Sequence, residues 1–169
     1  MSTLTILEYP DNRLRRVAEP VSFPEPKLAG LVDEMAQLMY AAAGVGLAAI
    51  QVNRPLRLFL MDPSAGQDNL QVFINPEIVS VRGLATNDEG CLSLPGMYET
   101  VERPEQIELT WQDIQGVRHQ QSFSGLEAVC IQHEIDHLDG KLFVDHISRI
   151  KRARITKRLM KHKSQAEVA

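Results

Sequence analysis

Cysteine and long apolar runs are both scarce in this chain of 169 residues. Two cysteines cannot build a disulfide framework, which favours a reducing compartment. The longest apolar stretch, from Ala41 to Ile50, falls well short of the ~20 residues of a membrane span. The first residues lack the basic start and apolar stretch of a signal peptide. We therefore expect a soluble, cytoplasmic protein without a membrane segment.

Internal repeats, low-complexity segments and Gly/Ser linkers are also missing from the sequence. Apolar residues make up 44% of the chain, which argues against disorder of the whole chain. A chain of this length can bury a substantial core without disulfides or structural metals. We expect residues 1–169 to form a single domain.

The charges are distributed unevenly, although the net charge is only -4. Residues 149–163 contain eight basic residues and no acid, whereas the rest of the chain has 10 basic and 22 acidic residues. Such asymmetry favours a polyanionic neighbour for the basic segment. The alternative is that these basic residues simply form a solvated face of a helix. The sequence leaves both interpretations open.

Three segments show the apolar spacing of helices. Apolar residues with gaps of three and one predict a helix from Leu28 to about Ala42, with Gly44 as a positive-φ stop. Ser124 and Glu127 have the spacing of a capping box, which predicts that a second helix begins there and ends near Gly140. A third amphipathic helix is predicted over 147–161, within a basic segment that we place at 147–163.

Strand patterns separate the first two helices. Alternating or apolar runs predict strands over 56–62, 71–75 and 77–82, and a hairpin from 106–111 and 117–123. Residues 1–27 are rich in proline and predict an extended loop around the body. Strands clustered between helices indicate an α+β fold with mostly antiparallel sheets.

The second helix carries His133, Glu134 and His137 in the pattern H-E-x-x-H. Residues four apart share one face of a helix, so both imidazoles can bind one metal ion. Glu134 lies beside the first ligand and can act as a general base toward water. The alternative is a chance pattern on a solvated helix.

The third ligand distinguishes the families that use this pattern. The longer metalloprotease pattern requires a histidine where this chain has Phe143. Another class uses a downstream glutamate, and the only one here is Glu167, near the end of the chain. His146 is also available, but it follows the predicted helix stop at Gly140. Neither common zinc-protease solution therefore fits.

An upstream thiol fits better. Cys91 lies 42 residues before His133, in the segment E-G-C-L-S. A thiolate is a strong ligand for Zn²⁺ or Fe²⁺, and one sulfur with two imidazoles leaves a position open for water. The alternative for Cys91 is a small buried apolar residue. We expect Cys130 to line the core or the pocket wall rather than bind the metal.

The segment G-V-G-L-A-A-I-Q, residues 44–51, is rich in small side chains. Two glycines and two alanines allow another group to pass close to the backbone. The Gln51 amide can donate to a developing oxyanion. By itself this pattern is weak, and it lacks the Gly-Lys-Ser/Thr of a phosphate loop.

Together, G-V-G-L-A-A-I-Q, E-G-C-L-S and Q-H-E-I-D-H resemble the motifs of the bacterial peptide deformylases in order and spacing, and the resemblance spans the chain. It implies an α+β catalytic domain with mostly antiparallel sheets around a central H-E-x-x-H helix, flanked by an N-terminal-half helix and a C-terminal helix. It implies a hydrolase that removes the formyl group of N-terminal formylmethionine. The implied metal ligands are Cys91, His133 and His137, holding Fe²⁺ that Zn²⁺, Ni²⁺ or Co²⁺ can replace.

The resemblance also assigns roles around the metal. Glu134 is the implied general base and acid, and Gln51 with the backbone N–H of Leu92 forms the oxyanion hole. The implied substrate pocket has six residues: Val45, Gly46, Gly90, Leu126, Val129 and Cys130.

The implied partners are formylmethionyl nascent peptides and, through the basic helix, the ribosome. Similar enzymes are monomers, and we expect the same here. Two alternatives remain, namely a metallopeptidase of another H-E-x-x-H type and a non-enzymatic, ribosome-associated metal-binding module.

Overall fold

Residues 3–168 are described by the structure, a computed structural model. Its α-helices are α1 (Leu28–Ala41), α2 (Gly125–Leu138) and α3 (Arg149–Val168). Its strands are β1 (Gly46–Ala48), β2 (Leu58–Met61), β3 (Gln71–Arg82), β4 (Ala85–Cys91), β5 (Leu94–Arg103), β6 (Gln106–Gln112) and β7 (Arg118–Ser124). Short 3₁₀ helices cover Asn12–Arg15, Ala49–Val52 and Phe143–His146.

The strands form two antiparallel sheets. The larger has the order β1-β2-β3-β6-β7, and the smaller is the β4–β5 hairpin. Helices pack against these sheets, so the predicted α+β class with mostly antiparallel pairing is confirmed. Among the described residues, no helix combines the length and apolar character needed to cross a membrane.

Both faces of the five-stranded sheet are covered at strand β2. All four of its residues are buried, and successive side chains point to opposite faces. Phe59 and Met61 join the core beneath α2, whereas Leu58 and Leu60 join the core beneath α1. Each such side chain contributes about 1.5–3 kcal/mol on burial.

Helix α2 lies at the centre of the molecule, and nine of its fourteen residues are buried. One side packs on the sheet through Ile131 and Ile135. The β4–β5 hairpin, the N-terminal segment and α3 form a third core, in which Ile155 and Leu159 of α3 are buried. This placement confirms a central helix that bears the H-E-x-x-H residues.

Two predictions at helix ends are only partly right. Helix α2 begins where predicted, with Ser124 as its N-cap in the usual extended conformation, but the Ser124 side chain makes no capping bond. After α1 the positive φ falls on Ala43, at 56°, rather than on Gly44. Gly44 is instead required by space, because a Cβ there would lie 2.5 Å from Cδ1 of Leu92. The stop near Gly140 is confirmed, with φ of 75°.

The strand predictions were incomplete before β6. The two strands predicted over 71–82 are one strand, β3, bent by a register shift next to Asn75, which has φ of 50°. Strands β1, β4 and β5 were not predicted, because β1 is short and β4 has the polar sequence A-T-N-D-E-G-C. The loop predicted over 1–27 contains the 3₁₀ helix Asn12–Arg15. The basic helix predicted over 147–161 is observed as α3.

Candidate metal centre and pocket

Three candidate ligands from distant parts of the chain meet inside the molecule. The ligand atoms of Cys91, His133 and His137 all lie within 4.8 Å of one another. Nε2 of His137 is 3.3 Å from Sγ of Cys91 and 3.2 Å from Nε2 of His133. Lone pairs that converge in this way suit a cation, and the thiol with two imidazoles suits Fe²⁺ or Zn²⁺.

Two features of the fold position the three candidate ligands. Helix α2 places His133 and His137 on one face because they are four residues apart. Cys91 ends β4, where a register shift follows Gly90. Both histidines are buried, with 8% and 0% exposure, so a chance pattern on a solvated helix is excluded. Burial lowers the pKa of His137, which favours the neutral ring that a metal ligand requires.

A buried ion-pair network supports His133. Its Nδ1 lies 3.0 Å from Oε1 of Glu89, which directs Nε2 toward the other ligands. The Arg103 guanidinium donates to both carboxylate oxygens of Glu89 and to Asp136. Burial opposes ionisation of Glu89, but the bonds from His133 and Arg103 outweigh it and hold the pKa at about 2.

The sequence patterns predicted no role for Glu89 or Arg103. Glu89 could have been noticed, since it directly precedes the Gly90-Cys91 pair. Arg103 gave no local signal, because its partners lie 14 and 33 residues away along the chain. His146 binds Asp136 through Nε2, at 2.8 Å, and does not belong to the metal cluster. The Glu167 side chain lies outside the described part of the structure.

Glu134 is 3% exposed, and Oε1 lies 3.9 Å from Nε2 of His133. Its Oε2 has no hydrogen-bond partner among the described residues. Burial raises the pKa of Glu134 to about 7. A buried carboxylate with an unpaired oxygen, beside convergent ligands, fits a group that exchanges protons with a bound molecule.

The segment at residues 44–51, which is rich in small side chains, passes close to Glu134 and Cys130. A Cβ on Gly46 would lie 2.9 Å from Sγ of Cys130 and 3.0 Å from Oε1 of Glu134. Glycine at this position therefore makes room for the carboxylate. Burial raises the pKa of Cys130, which keeps it a thiol, and Cys130 does not belong to the metal cluster.

Gln51 is held in one orientation. It is 1% exposed, and its Oε1 accepts a bond from the Ala48 N–H at 2.9 Å. Its Nε2 therefore points toward the metal cluster, 3.7 Å from Sγ of Cys91 and 3.0 Å from Oγ of Ser93. The buried amide can donate a hydrogen bond to a molecule in the pocket.

A cavity of about 660 Å³ opens onto these groups. It is lined by all of the site residues proposed from the sequence except His137, which lies behind the other two ligands. These lining residues are Val45, Gly46, Gln51, Gly90, Cys91, Leu92, Leu126, Val129, Cys130, His133 and Glu134. The cavity therefore joins an apolar pocket to a cluster of candidate metal ligands and a buried carboxyl group.

A family model and individual relatives both match nearly the whole chain. A family model described as polypeptide deformylase matches residues 3–153. The peptide deformylases of Cellvibrio japonicus and Pseudomonas aeruginosa are 53% and 48% identical, and the alignments cover 97% and 98% of this chain and 98% and 100% of those proteins.

Solved structures agree with the sequence comparison. The crystal structure of a peptide deformylase from Legionella pneumophila has a TM-score of 0.92 at 43% identity and covers 97% of each chain. The crystal structure of a peptide deformylase from Synechococcus elongatus in complex with actinonin has a TM-score of 0.88 at 39% identity. It covers 94% of this chain and 88% of that one.

Proposed function

The chain belongs to the polypeptide deformylase family, and from this premise we propose which of its residues perform the reaction. The enzyme removes the N-terminal formyl group from formylmethionine of newly synthesised polypeptides and releases formate. One observation carries the assignment of residues. A thiol and two imidazoles converge at the wall of an apolar cavity, beside a buried carboxylate that has an unpaired oxygen.

Cys91, His133 and His137 would hold the divalent ion on which this family depends. We propose Fe²⁺ as the ion in the cell, with Zn²⁺, Ni²⁺ or Co²⁺ as substitutes, since the donor set accommodates all four. When bound, the ion supplies Lewis acidity, which can lower the pKa of water toward ~7. Glu89 would keep His133 in the tautomer that leaves Nε2 free for the ion.

Glu134 would move the proton. Hydrolysis forms a bond between carbon and the water oxygen and breaks the bond between carbon and the amide nitrogen. Glu134 would take a proton from the attacking water and return it to the departing amine. Its pKa of about 7 suits both roles near neutral pH.

Gln51 and Leu92 would stabilise the negative oxygen that develops on the formyl group. The Gln51 Nε2 already points toward the ligands, so it needs no rearrangement to donate. The backbone N–H of Leu92, next to Cys91, would be the second donor. Hydrogen-bond donors that are oriented before the reaction stabilise developing charge most strongly in a site that excludes water.

The pocket would accept an unbranched apolar side chain. Its walls include Val45, Leu126, Val129 and Cys130, close to His133 and Glu134. Gly46 and Gly90 would complete the lining of this pocket. A methionine side chain seated there would place its formyl group at the metal cluster.

We further propose how the whole chain works. Residues 1–169 would form one catalytic domain, active as a monomer in the cytoplasm. The basic segment 147–163 would dock on ribosomal RNA, since its eight Lys and Arg residues are all exposed. This contact would bring the pocket near emerging formylated chains.

The test is formate release from a formyl-Met peptide by the metal-loaded protein. We expect rapid release, no cleavage of an internally quenched peptide without a formyl group, and about one metal ion per chain. Cleavage of the quenched peptide at internal bonds would indicate the alternative metallopeptidase. Metal binding without either activity would indicate a non-enzymatic module.

A further inference from the structure

Gln51 has a buried hydrogen-bond partner, Ser93, that has no role in the proposed reaction. Ser93 is fully buried, and its Oγ accepts a hydrogen bond from Nε2 of Gln51 at 3.0 Å. Ser93 and Leu92 together form the turn between β4 and β5, directly after Cys91. The same short turn therefore holds a partner of Gln51 and the backbone N–H proposed as the second donor.

The hydrogen bonds of Gln51 leave a single N–H available. A primary amide has one carbonyl oxygen and two N–H groups. The oxygen is occupied by the N–H of Ala48, at 2.9 Å, and one N–H is donated to Ser93. The second N–H is thereby directed toward the metal cluster, where it donates a long hydrogen bond to Sγ of Cys91, at 3.7 Å.

The N-terminal segment fixes both backbones. The N–H of Leu7 donates to the carbonyl of Gln51 at 2.7 Å, and the N–H of Tyr9 donates to the carbonyl of Ser93 at 2.8 Å. Leu7 is buried, so these bonds are anchored in the core. Two residues of one extended segment thus tie together chain regions that lie 42 residues apart.

From these contacts we infer that Ser93 is a positioning residue for the oxyanion hole: it holds the Gln51 amide so that one N–H faces the reacting oxygen. The N-terminal segment at residues 7–9 keeps Ser93 and Gln51 in register. This inference rests on the proposed role of Gln51. Without the Ser93 hydroxyl, the amide can rotate toward other acceptors, and the donor is no longer prepared before the reaction.

A double-mutant cycle tests this role. Wild type, Gln51→Ala, Ser93→Ala and the double variant are loaded with the same metal and compared on a formyl-Met peptide. We expect Ser93→Ala to lower kcat about 10-fold, less than the ~10²–10³ for loss of the donor itself, with KM changed less than twofold. Because Ser93 acts through Gln51, the double variant should be no slower than Gln51→Ala alone.

Two further variants separate positioning from general support of the fold. Ser93→Thr keeps the hydroxyl and should retain kcat within about threefold. Ser64→Ala removes a hydroxyl that bonds the Asp62 carboxylate outside the pocket, and it should leave kcat and KM unchanged. Metal content and thermal unfolding are measured for each variant.

Each outcome decides the question. The positioning role is overturned if the double variant has a lower kcat than Gln51→Ala by the factor seen for Ser93→Ala alone. It is also overturned if Ser93→Thr has a low kcat but unchanged thermal stability. Normal kcat in Ser93→Ala, with Gln51→Ala slow, overturns the Ser93 inference alone. Normal kcat in Gln51→Ala would remove the proposed oxyanion role of Gln51, and the Ser93 inference with it.

Discussion

At the scale of single residues, the site combines groups that are costly to bury. Glu134 and Gln51 are almost fully enclosed, and an oxygen of Glu134 has no partner among the described residues. Burial of a polar group without a partner costs about 1–3 kcal/mol. A fold retains such a group when a substrate or transition state completes its hydrogen bonds.

Replacing Gln51 with alanine removes the donor that we propose for the oxyanion hole. We expect kcat on a formyl-Met peptide to fall by ~10²–10³ with little change in KM, because the bond forms mainly in the transition state. Steady-state kinetics on the metal-loaded protein measure both constants. A rise in KM with unchanged kcat would show that Gln51 binds the substrate instead.

Cys91 predicts a difference between metals. Its sulfur is only half-buried, and a thiolate bound to Fe²⁺ is exposed to oxidation by air. We expect activity to decay over hours in air for the Fe²⁺ protein and to persist for the Ni²⁺ protein. Formate release is followed over time, with an anaerobic sample of each as control. Equal lifetimes in air would argue against Cys91 as a ligand.

At the scale of elements, α3 has an apolar face and a basic face. Ile155 and Leu159 are buried in the core next to β5, whereas the basic residues face solvent. Removing the chain after residue 150 would therefore destabilise the fold as well as remove the charge. The contribution of α3 to stability and the effect of its charge must be separated by substitution rather than by truncation.

Changing four exposed basic residues of α3 to glutamine isolates its charge. For Arg154, Lys157, Arg158 and Lys161 together, we expect weaker ribosome binding and a shallower dependence on salt, by roughly one in log–log slope per lost contact. Activity on a short formyl peptide should not change. Binding is measured by cosedimentation at several salt concentrations.

Leu159→Ala is the matched control for this variant. It keeps every charge but should lower the free energy of unfolding by roughly 2–4 kcal/mol. Undiminished ribosome binding by the glutamine variant would show that α3 is a solvated helix and not a docking surface.

The loop after β2 depends on one carboxylate. Asp62 is 3% exposed and accepts bonds from the hydroxyls of Ser64 and Tyr40 and from two backbone N–H groups. The bonds from Ser64 and Tyr40 lower the pKa of Asp62 to about 2, from an ordinary value of 3.8. The stabilisation is therefore complete above about pH 4 and is lost as the pH falls toward 2.

Asp62→Asn makes this dependence measurable. The variant should unfold at a lower temperature than wild type near neutral pH, because the amide cannot accept the same bonds. The difference should shrink between about pH 4 and pH 2, where the wild-type carboxyl is protonated. Melting temperatures across this range measure it. A difference that stays constant with pH would mean that the charge of Asp62 does not stabilise the loop.

At the scale of the whole molecule, local patterns predicted the helices better than the sheets. Apolar periodicity predicted α1, whereas the central position of the H-E-x-x-H helix was implied by the family resemblance. The β4–β5 hairpin was missed because its alternation is polar, although it carries Cys91. Its burial comes from α3 and the N-terminal segment, which no local pattern reveals.

The site shows the same division between local and distant information. The motifs named Cys91, His133 and His137, and the structure brings their ligand atoms within 4.8 Å. The supporting residues Arg103 and Ser93 were not predicted, because their roles depend on contacts across 14 to 42 residues of chain. The motif E-G-C-L-S contains Glu89 and Ser93 as well as Cys91, but only packing shows which groups these two side chains contact.

The most direct test of the central claim compares Glu134→Gln with wild type in metal content and formate release together. Glutamine keeps the shape of the side chain but cannot take a proton. We predict about one metal ion per chain in both proteins, and a fall in kcat of ~10²–10⁴ in the variant. Glu127→Gln, the same change on the same helix outside the metal cluster, should retain activity. A Glu134→Gln protein that binds metal and releases formate at the wild-type rate would contradict the account.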